Sequence, residues 1–120
     1  ATYTNAWAET TGYLNVKDPW NSMAKTYGQI ILNNNLKHRL ELMKKMIKTY
    51  SVDGMVMHST RSCKPYSVGQ FDLRKAITTD LDLPAVILDA DIADERVWSE
   101  QQIHTRLEAF CETLEGSKHG

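Results

Sequence analysis

Val52-Asp53-Gly54-Met55-Val56-Met57, followed at once by His58-Ser59-Thr60-Arg61-Ser62-Cys63-Lys64-Pro65-Tyr66-Ser67, is the stretch on which the fold turns. Its first six residues are short, apolar and bounded by turn formers, the pattern of a strand buried on both faces. Ser67 with Gln70 three residues later has capping-box spacing, which predicts a helix opening there and running to Asp80. Leu83-Pro84 punctuates the chain, and Ala85-Val86-Ile87-Leu88 predicts a second buried strand. Ser99 and Gln102 repeat the capping-box spacing. Ile103, Leu107, Phe110 and Leu114 then line one face of a last helix, which Gly116 is expected to end, leaving a frayed tail.

Upstream of the first strand, Leu36, Leu40, Met43, Ile47 and Tyr50 recur at helical spacing, with Lys37, Lys44, Lys45 and Lys48 forming a solvated polar face. Asn33-Asn34-Asn35 separates this helix from an earlier one, because Asn favours caps and turns. Asp18-Pro19 reads as an N-cap followed by proline at the first helical position. Trp20, Met23, Ala24, Tyr27, Ile30 and Ile31 then predict one apolar stripe. Thr2 to Trp7, β-branched and aromatic, reads as a strand tail or a loop.

The order helix, helix, strand, helix, strand, helix predicts an α/β fold: part of a doubly wound parallel sheet, Rossmann-like, with flanking helices. Two strands do not make a stable sheet by themselves. The chain also opens on Ala1-Thr2-Tyr3-Thr4 rather than Met. Residues 1–120 are therefore expected to be a single α/β portion, the C-terminal part of a larger subunit.

Fourteen Lys plus Arg against fifteen Asp plus Glu leave a net charge of −1, with no basic excess to favour nucleic acid or an anionic membrane. Apolar runs such as Ala85 to Leu88 fall far short of the roughly 20 residues that cross a bilayer, and no signal-peptide pattern follows the N-terminus. Cys63 and Cys111 are too few for a disulfide framework, so a cytoplasmic location is expected.

In open parallel sheets, ligands sit beyond the carboxyl ends of the strands. His58 to Ser67 gathers a histidine, hydroxyls, two cations and a thiol at that position. Three functional readings fit: Cys63 as a metal ligand near Arg61, Lys64 and a helix start; Cys63 as a nucleophile activated by His58; or a phosphate cradle of Ser59, Arg61 and Ser62. Against them stands a plain one, with Cys63 a small core residue and the hydroxyls capping a helix. Cys111 reads as core. Asp89, Asp91, Asp94 and Glu95 read as solvated or capping carboxylates, and Trp7, Trp20 and Trp98 as core or subunit contacts. His104 and His119 carry no signal.

The run from Val52 to Gln70 resembles the C-terminal region of the 2-hydroxyacyl-CoA dehydratase and benzoyl-CoA reductase family. The likeness continues through Leu83-Pro84-Ala85-Val86-Ile87-Leu88-Asp89-Ala90-Asp91 and the Ser99 to Phe110 helix, and upstream through Asp18-Pro19-Trp20 and the Leu36 helix. The resemblance implies a cytoplasmic, oxygen-sensitive heterodimer of two homologous subunits, each holding an iron–sulfur cluster, usually [4Fe–4S]. It also implies an ATP-hydrolysing iron–sulfur activator that delivers one electron. An (R)-2-hydroxyacyl-CoA substrate would lose water through a ketyl radical.

By the same resemblance Cys63 is a cluster ligand; from their placement beside it, Arg61 and Ser62 are expected to tune the cluster, and His58 or Ser59 to face the substrate thioester. The family cluster takes three cysteines from its own subunit. Cys63 matches one of them, so this chain alone is expected to hold no intact cluster and to be inactive. A benzoyl-CoA reductase subunit and a non-catalytic cluster-scaffold or docking domain are the alternatives, and a bound flavin is left open.

Overall fold

A computed structural model of the chain describes residues 11–118. They belong to two compact units, residues 1–41 and 42–120. The expectation for Thr2 to Trp7, and those for Trp7 and His119, lie outside the described residues.

In the first unit, α1 (Pro19–Gly28) starts as the sequence predicts, with Asp18 at the N-cap and Pro19 inside the first turn. The Asp18 carboxylate accepts from Asn21 Nδ2 at 3.0 and 3.1 Å rather than from a backbone amide. The predicted stripe needs correction. Ser22 and Thr26 are the buried residues of α1, whereas Trp20 is 79% exposed and Met23 and Tyr27 are also exposed. Burial of these hydroxyls is tolerated because they bond within the chain: Ser22 Oγ to the Pro19 carbonyl at 3.0 Å, and Thr26 Oγ1 to the Ser22 carbonyl at 2.8 Å. The helix also ends earlier than the stripe implied. Ile30 is buried outside it, and Ile31–Asn33 form a separate 3₁₀ turn. The asparagines do break the helices: Asn35 Oδ1 accepts from the His38 amide at 3.0 Å and so opens α2 (Leu36–Tyr50).

The second unit holds the end of α2, β1 (Met55–Thr60), α3 (Lys64–Ser67), α4 (Gln70–Leu81), β2 (Ala85–Ala90) and α5 (Glu100–Lys118). Ser51 closes α2 at φ 48°, and bonds from the Ser51 amide to the Lys48 carbonyl and from the Val52 amide to the Ile47 carbonyl complete a Schellman end. Lys44, expected on a solvated face, meets Asp80 of α4 at 2.7 Å.

β1 and β2 form a two-stranded parallel sheet, in register from Met55 opposite Ala85 to Thr60 opposite Ala90. Its hydrogen bonds start with the Met55 amide on the Pro84 carbonyl at 2.9 Å and end with the Arg61 amide on the Ala90 carbonyl at 3.4 Å. Residues 55, 57 and 59 of β1 therefore direct their backbone groups to β2, and 56, 58 and 60 direct theirs to the outer edge. On β2, residues 85, 87 and 89 face outward. The fold is α/β with flanking helices. Met57, Leu73, Ile77, Leu83, Ile87 and Ala90 form its small core, with Ile77 fully buried.

Four boundaries differ from expectation. β1 runs three residues later than predicted, so His58 and Ser59 lie in the strand and not in the loop after it. Its lead-in, Gly54, lies against α5: a Cβ there would stand 2.5 Å from Leu114 Cδ2 and 2.9 Å from Phe110 Cζ. β2 runs two residues past Leu88. Ser67 caps nothing, because it ends α3 and its Oγ donates to the Cys63 carbonyl at 3.1 Å. Gly69, at φ 84°, turns the chain into α4 instead. Finally, α5 continues through Gly116 to Lys118, since an interior glycine costs a helix only about 1 kcal/mol. Its start agrees with the Ser99 signal: the Ile103 amide bonds the Ser99 carbonyl at 3.0 Å. No helix among the described residues is long and apolar enough to cross a membrane.

Candidate functional site

The chemistry-bearing residues fall at the carboxyl ends of the two parallel strands. His58 and Thr60 share one face of β1 by strand alternation, and His58 Nδ1 stands 3.3 Å from Thr60 Oγ1. Ser59 points to the other face, so the strand separates the two residues expected to meet a thioester. His58 is exposed, and no hydrogen bond joins it to Cys63.

Beyond Thr60 the chain turns. The Cys63 amide donates to the Thr60 carbonyl at 3.0 Å, and Cys63 becomes the N-cap of the one-turn helix α3. Its carbonyl accepts from the amides of Tyr66 and Ser67 at 3.1 and 3.0 Å. Pro65 fits the first turn, where its missing N–H is not needed. Cys63 is thus fixed through its backbone, with a free, half-buried thiol at a strand-to-helix junction.

The residues around it are less free than the sequence suggested. Ser62 donates its amide to Asp91 Oδ2 at 2.6 Å and its hydroxyl to Asp91 Oδ1 at 3.0 Å. Asp91 also accepts from the Ala93 amide at 2.9 Å. These bonds, the Ala93 amide first and then the Ser62 hydroxyl and amide, hold the Asp91 carboxyl below its ordinary pKa. Arg61 extends into solvent, with Nη2 3.8 Å from Asp89 Oδ2, a contact of little energy at this exposure. Asp94 accepts from the Arg96 side chain at 2.8 Å, which lowers its own pKa and raises that of Arg96.

Among the described residues, no three His, Cys, Asp or Glu side chains converge to hold a metal ion. Cys63 is the one cysteine at these strand ends among the described residues. Cys111, expected in the core, is exposed on α5, because the inward face of that helix is taken by Ile103, Leu107, Phe110 and Leu114. Trp20 and Trp98 are exposed and not core. Asp91, read from the sequence as a solvated or capping carboxylate, Gln70, read as a capping-box partner, and Thr60 are the residues whose place at the site the sequence reading did not foresee. Of these, Asp91 alone carried a signal: an aspartate directly after a strand end, facing the parallel neighbour's loop.

Residues 1–114 match the family model described as 2-hydroxyglutaryl-CoA dehydratase, D-component, and the chain belongs to that family. It is 30% identical over 103 residues to a subunit of the benzoyl-CoA reductase of Thauera aromatica, covering 86% of this chain and 24% of that protein. It is 35% identical over 96 residues to the alpha subunit of lactoyl-CoA dehydratase from Anaerotignum propionicum, covering 80% and 23%. With the alpha subunit of (R)-2-hydroxyglutaryl-CoA dehydratase from Acidaminococcus fermentans, identity is 33% over 72 residues, 60% of this chain and 15% of that one. The chain spans about a quarter of the length of the first two of these curated relatives.

Proposed function

We propose that this chain is part of a subunit of an iron–sulfur-dependent 2-hydroxyacyl-CoA dehydratase, a lyase removing water from an (R)-2-hydroxyacyl-CoA. The observation that carries the proposal is Cys63, a backbone-anchored, half-buried thiol at the carboxyl end of a parallel strand in a chain of this family. Cys63 supplies one thiolate to a [4Fe–4S] cluster whose remaining ligands lie in the rest of the subunit. Such a cluster would supply one electron at low potential to the substrate thioester; the ketyl radical so formed would expel the 2-hydroxyl and lose a β-proton, the electron then returning as the unsaturated thioester forms. His58, its Nδ1 beside Thr60, presents Nε2 to the substrate, while Arg61 brings positive charge near the cluster. A homologous second subunit and an ATP-hydrolysing iron–sulfur activator complete the system, in the cytoplasm.

We further infer that β1 and β2 are two strands of a larger doubly wound sheet. The next strand pairs with the outer edge of β1, where the Val56 and His58 amides point outward. β2 is the terminal strand: Arg106 Nη1 donates to the Ile87 carbonyl at 3.0 Å and sets a charge in the middle of its outer edge. The exposed Trp20, Met23 and Tyr27 of α1 form a second surface for the rest of the subunit to cover.

The similarity to the benzoyl-CoA reductase of Thauera aromatica favours a second reading, a chain that helps reduce an aromatic acyl-CoA ring with the same machinery. A docking or scaffold role without catalysis is a third. Anaerobic purification of the complete complex with Cys63→Ala tests the first: iron content and activity are expected to fall together, and full iron retention would remove the proposal. Assays of the wild-type complex with 2-hydroxyacyl and benzoyl thioesters separate the two enzyme readings.

A further inference from the structure

We infer that Asp91 is a positioning residue for Cys63, setting the loop from which the thiol reaches its metal; this rests on the reading of Cys63 as a cluster ligand. Asp91 stands one residue past β2, and Arg61 to Cys63 turn just past β1, so the carboxylate ties two neighbouring strand ends together. Both donors of Ser62 end on it, the amide at 2.6 Å and the hydroxyl at 3.0 Å. The amide bond is short, as expected where the acceptor is charged.

Ser62 precedes Cys63 directly, and that placement gives the pair its consequence. On the near side of Cys63 its own amide is held by the Thr60 carbonyl, and Ser62 just before it is held by Asp91 through both donors. On the far side the Cys63 carbonyl is held by Tyr66 and Ser67. The Cα–Cβ direction of the cysteine is therefore fixed from both sides. The Ser62 hydroxyl hydrogen is committed to Asp91 and is not available to a cluster sulfur, so Ser62 acts on the site through the loop. Loss of the carboxylate frees Ser62 and leaves the turn held on this side only by the Arg61–Ala90 and Cys63–Thr60 backbone bonds, which loosens the placement of the thiol. Metal-ligand positions depend on such supporting bonds as well as on the ligands themselves.

The test uses the complete, anaerobically prepared complex carrying Asp91→Ala, Asp91→Asn or Ser62→Thr. Alkylation of Cys63 by iodoacetamide is followed by peptide mass spectrometry in iron-stripped protein, and the electron paramagnetic resonance spectrum of the reduced cluster is recorded in loaded protein. Asp91→Ala and Asp91→Asn are expected to speed Cys63 alkylation about ten-fold, with Cys111 unchanged as internal control, and to shift the cluster spectrum. Ser62→Thr keeps both donors and is expected to match wild type. Unchanged alkylation and spectrum in Asp91→Ala would overturn the inference.

Should Asp91→Ala fail to fold, Ser62→Ala carries the test. It retains the amide bond and loses the hydroxyl bond, so a smaller acceleration supports the inference and none overturns it. The two failures are distinguishable. Cys63→Ala with full iron defeats the ligand reading, while normal iron loss in Cys63→Ala beside a silent Asp91→Ala defeats only the role of Asp91.

Discussion

Gln70 Nε2 donates to the His58 carbonyl oxygen at 2.7 Å, joining the first residue of α4 to the strand twelve positions earlier. That carbonyl faces the outer edge of β1, and Gln70 is only 6% exposed. The side chain thus closes the end of the strand where the backbone turns away. Gln70→Leu keeps the bulk and removes the donor, leaving the His58 carbonyl without this partner. It is expected to lower unfolding free energy by about 1–3 kcal/mol in urea denaturation of the complete subunit. Unaltered stability would show that solvent or a neighbouring strand already satisfies the carbonyl.

The same residue shows how far the sequence could be read. Ser67 and Gln70 have capping-box spacing, yet the spacing cannot reveal that Gly69 takes a left-handed turn between them and sends Gln70 back to the strand. Both strands, their order, and helices α1, α2, α4 and α5 were legible from periodicity and turn chemistry, because those signals are local. The register of β1 was not, since the parallel partner sets it and begins pairing at Pro84. The stripe on α1 failed for a related reason: periodicity identifies an apolar face but not what covers it. At the site, the motif located Cys63, while the Ser62–Asp91 pair spans 29 residues and is visible only in three dimensions.

The glycine before β1 offers a second measurement. A Cβ on Gly54 meets Leu114 and Phe110 at distances that real contacts do not show, but the opposing atoms are the ends of side chains that can move. Gly54→Ala is therefore expected to cost about 1–3 kcal/mol through overpacking. Gly54→Ala combined with Leu114→Ala is expected to be less destabilised than the sum of the two single changes, with a coupling of about 0.5 kcal/mol or more. Strict additivity would mean that the close approach is relieved elsewhere.

Hydrogen exchange reads the two edges of the sheet. If the next strand of the full sheet pairs with β1, the outward amides of Val56 and His58 become protected in the complete subunit, while those of Ala85 and Asp89 exchange rapidly. The reverse pattern would place the next strand at β2 and displace Arg106 from the Ile87 carbonyl. Protection at both edges would make neither strand terminal.

Acid provides the last test, because Asp91 and Asp94 are both held below their ordinary pKa, Asp91 chiefly by the Ala93 amide and then by Ser62. A carboxyl whose folded pKa lies below its unfolded one contributes its full stabilisation above the unfolded value, and loses it as pH falls through the folded value. The difference in Tm between wild type and Asp91→Asn should stay level from about pH 8 to about pH 5, and shrink once pH drops below about 4, where free aspartate protonates. Protection of the Ser62 amide against exchange, relative to a free peptide at the same pH, should follow the same course, falling in acid in wild type and remaining flat in Asp91→Asn. A Tm difference that widens on acidification would mean that the neutral carboxyl is held more tightly than the carboxylate, contrary to the donors that converge on it, and would overturn this account.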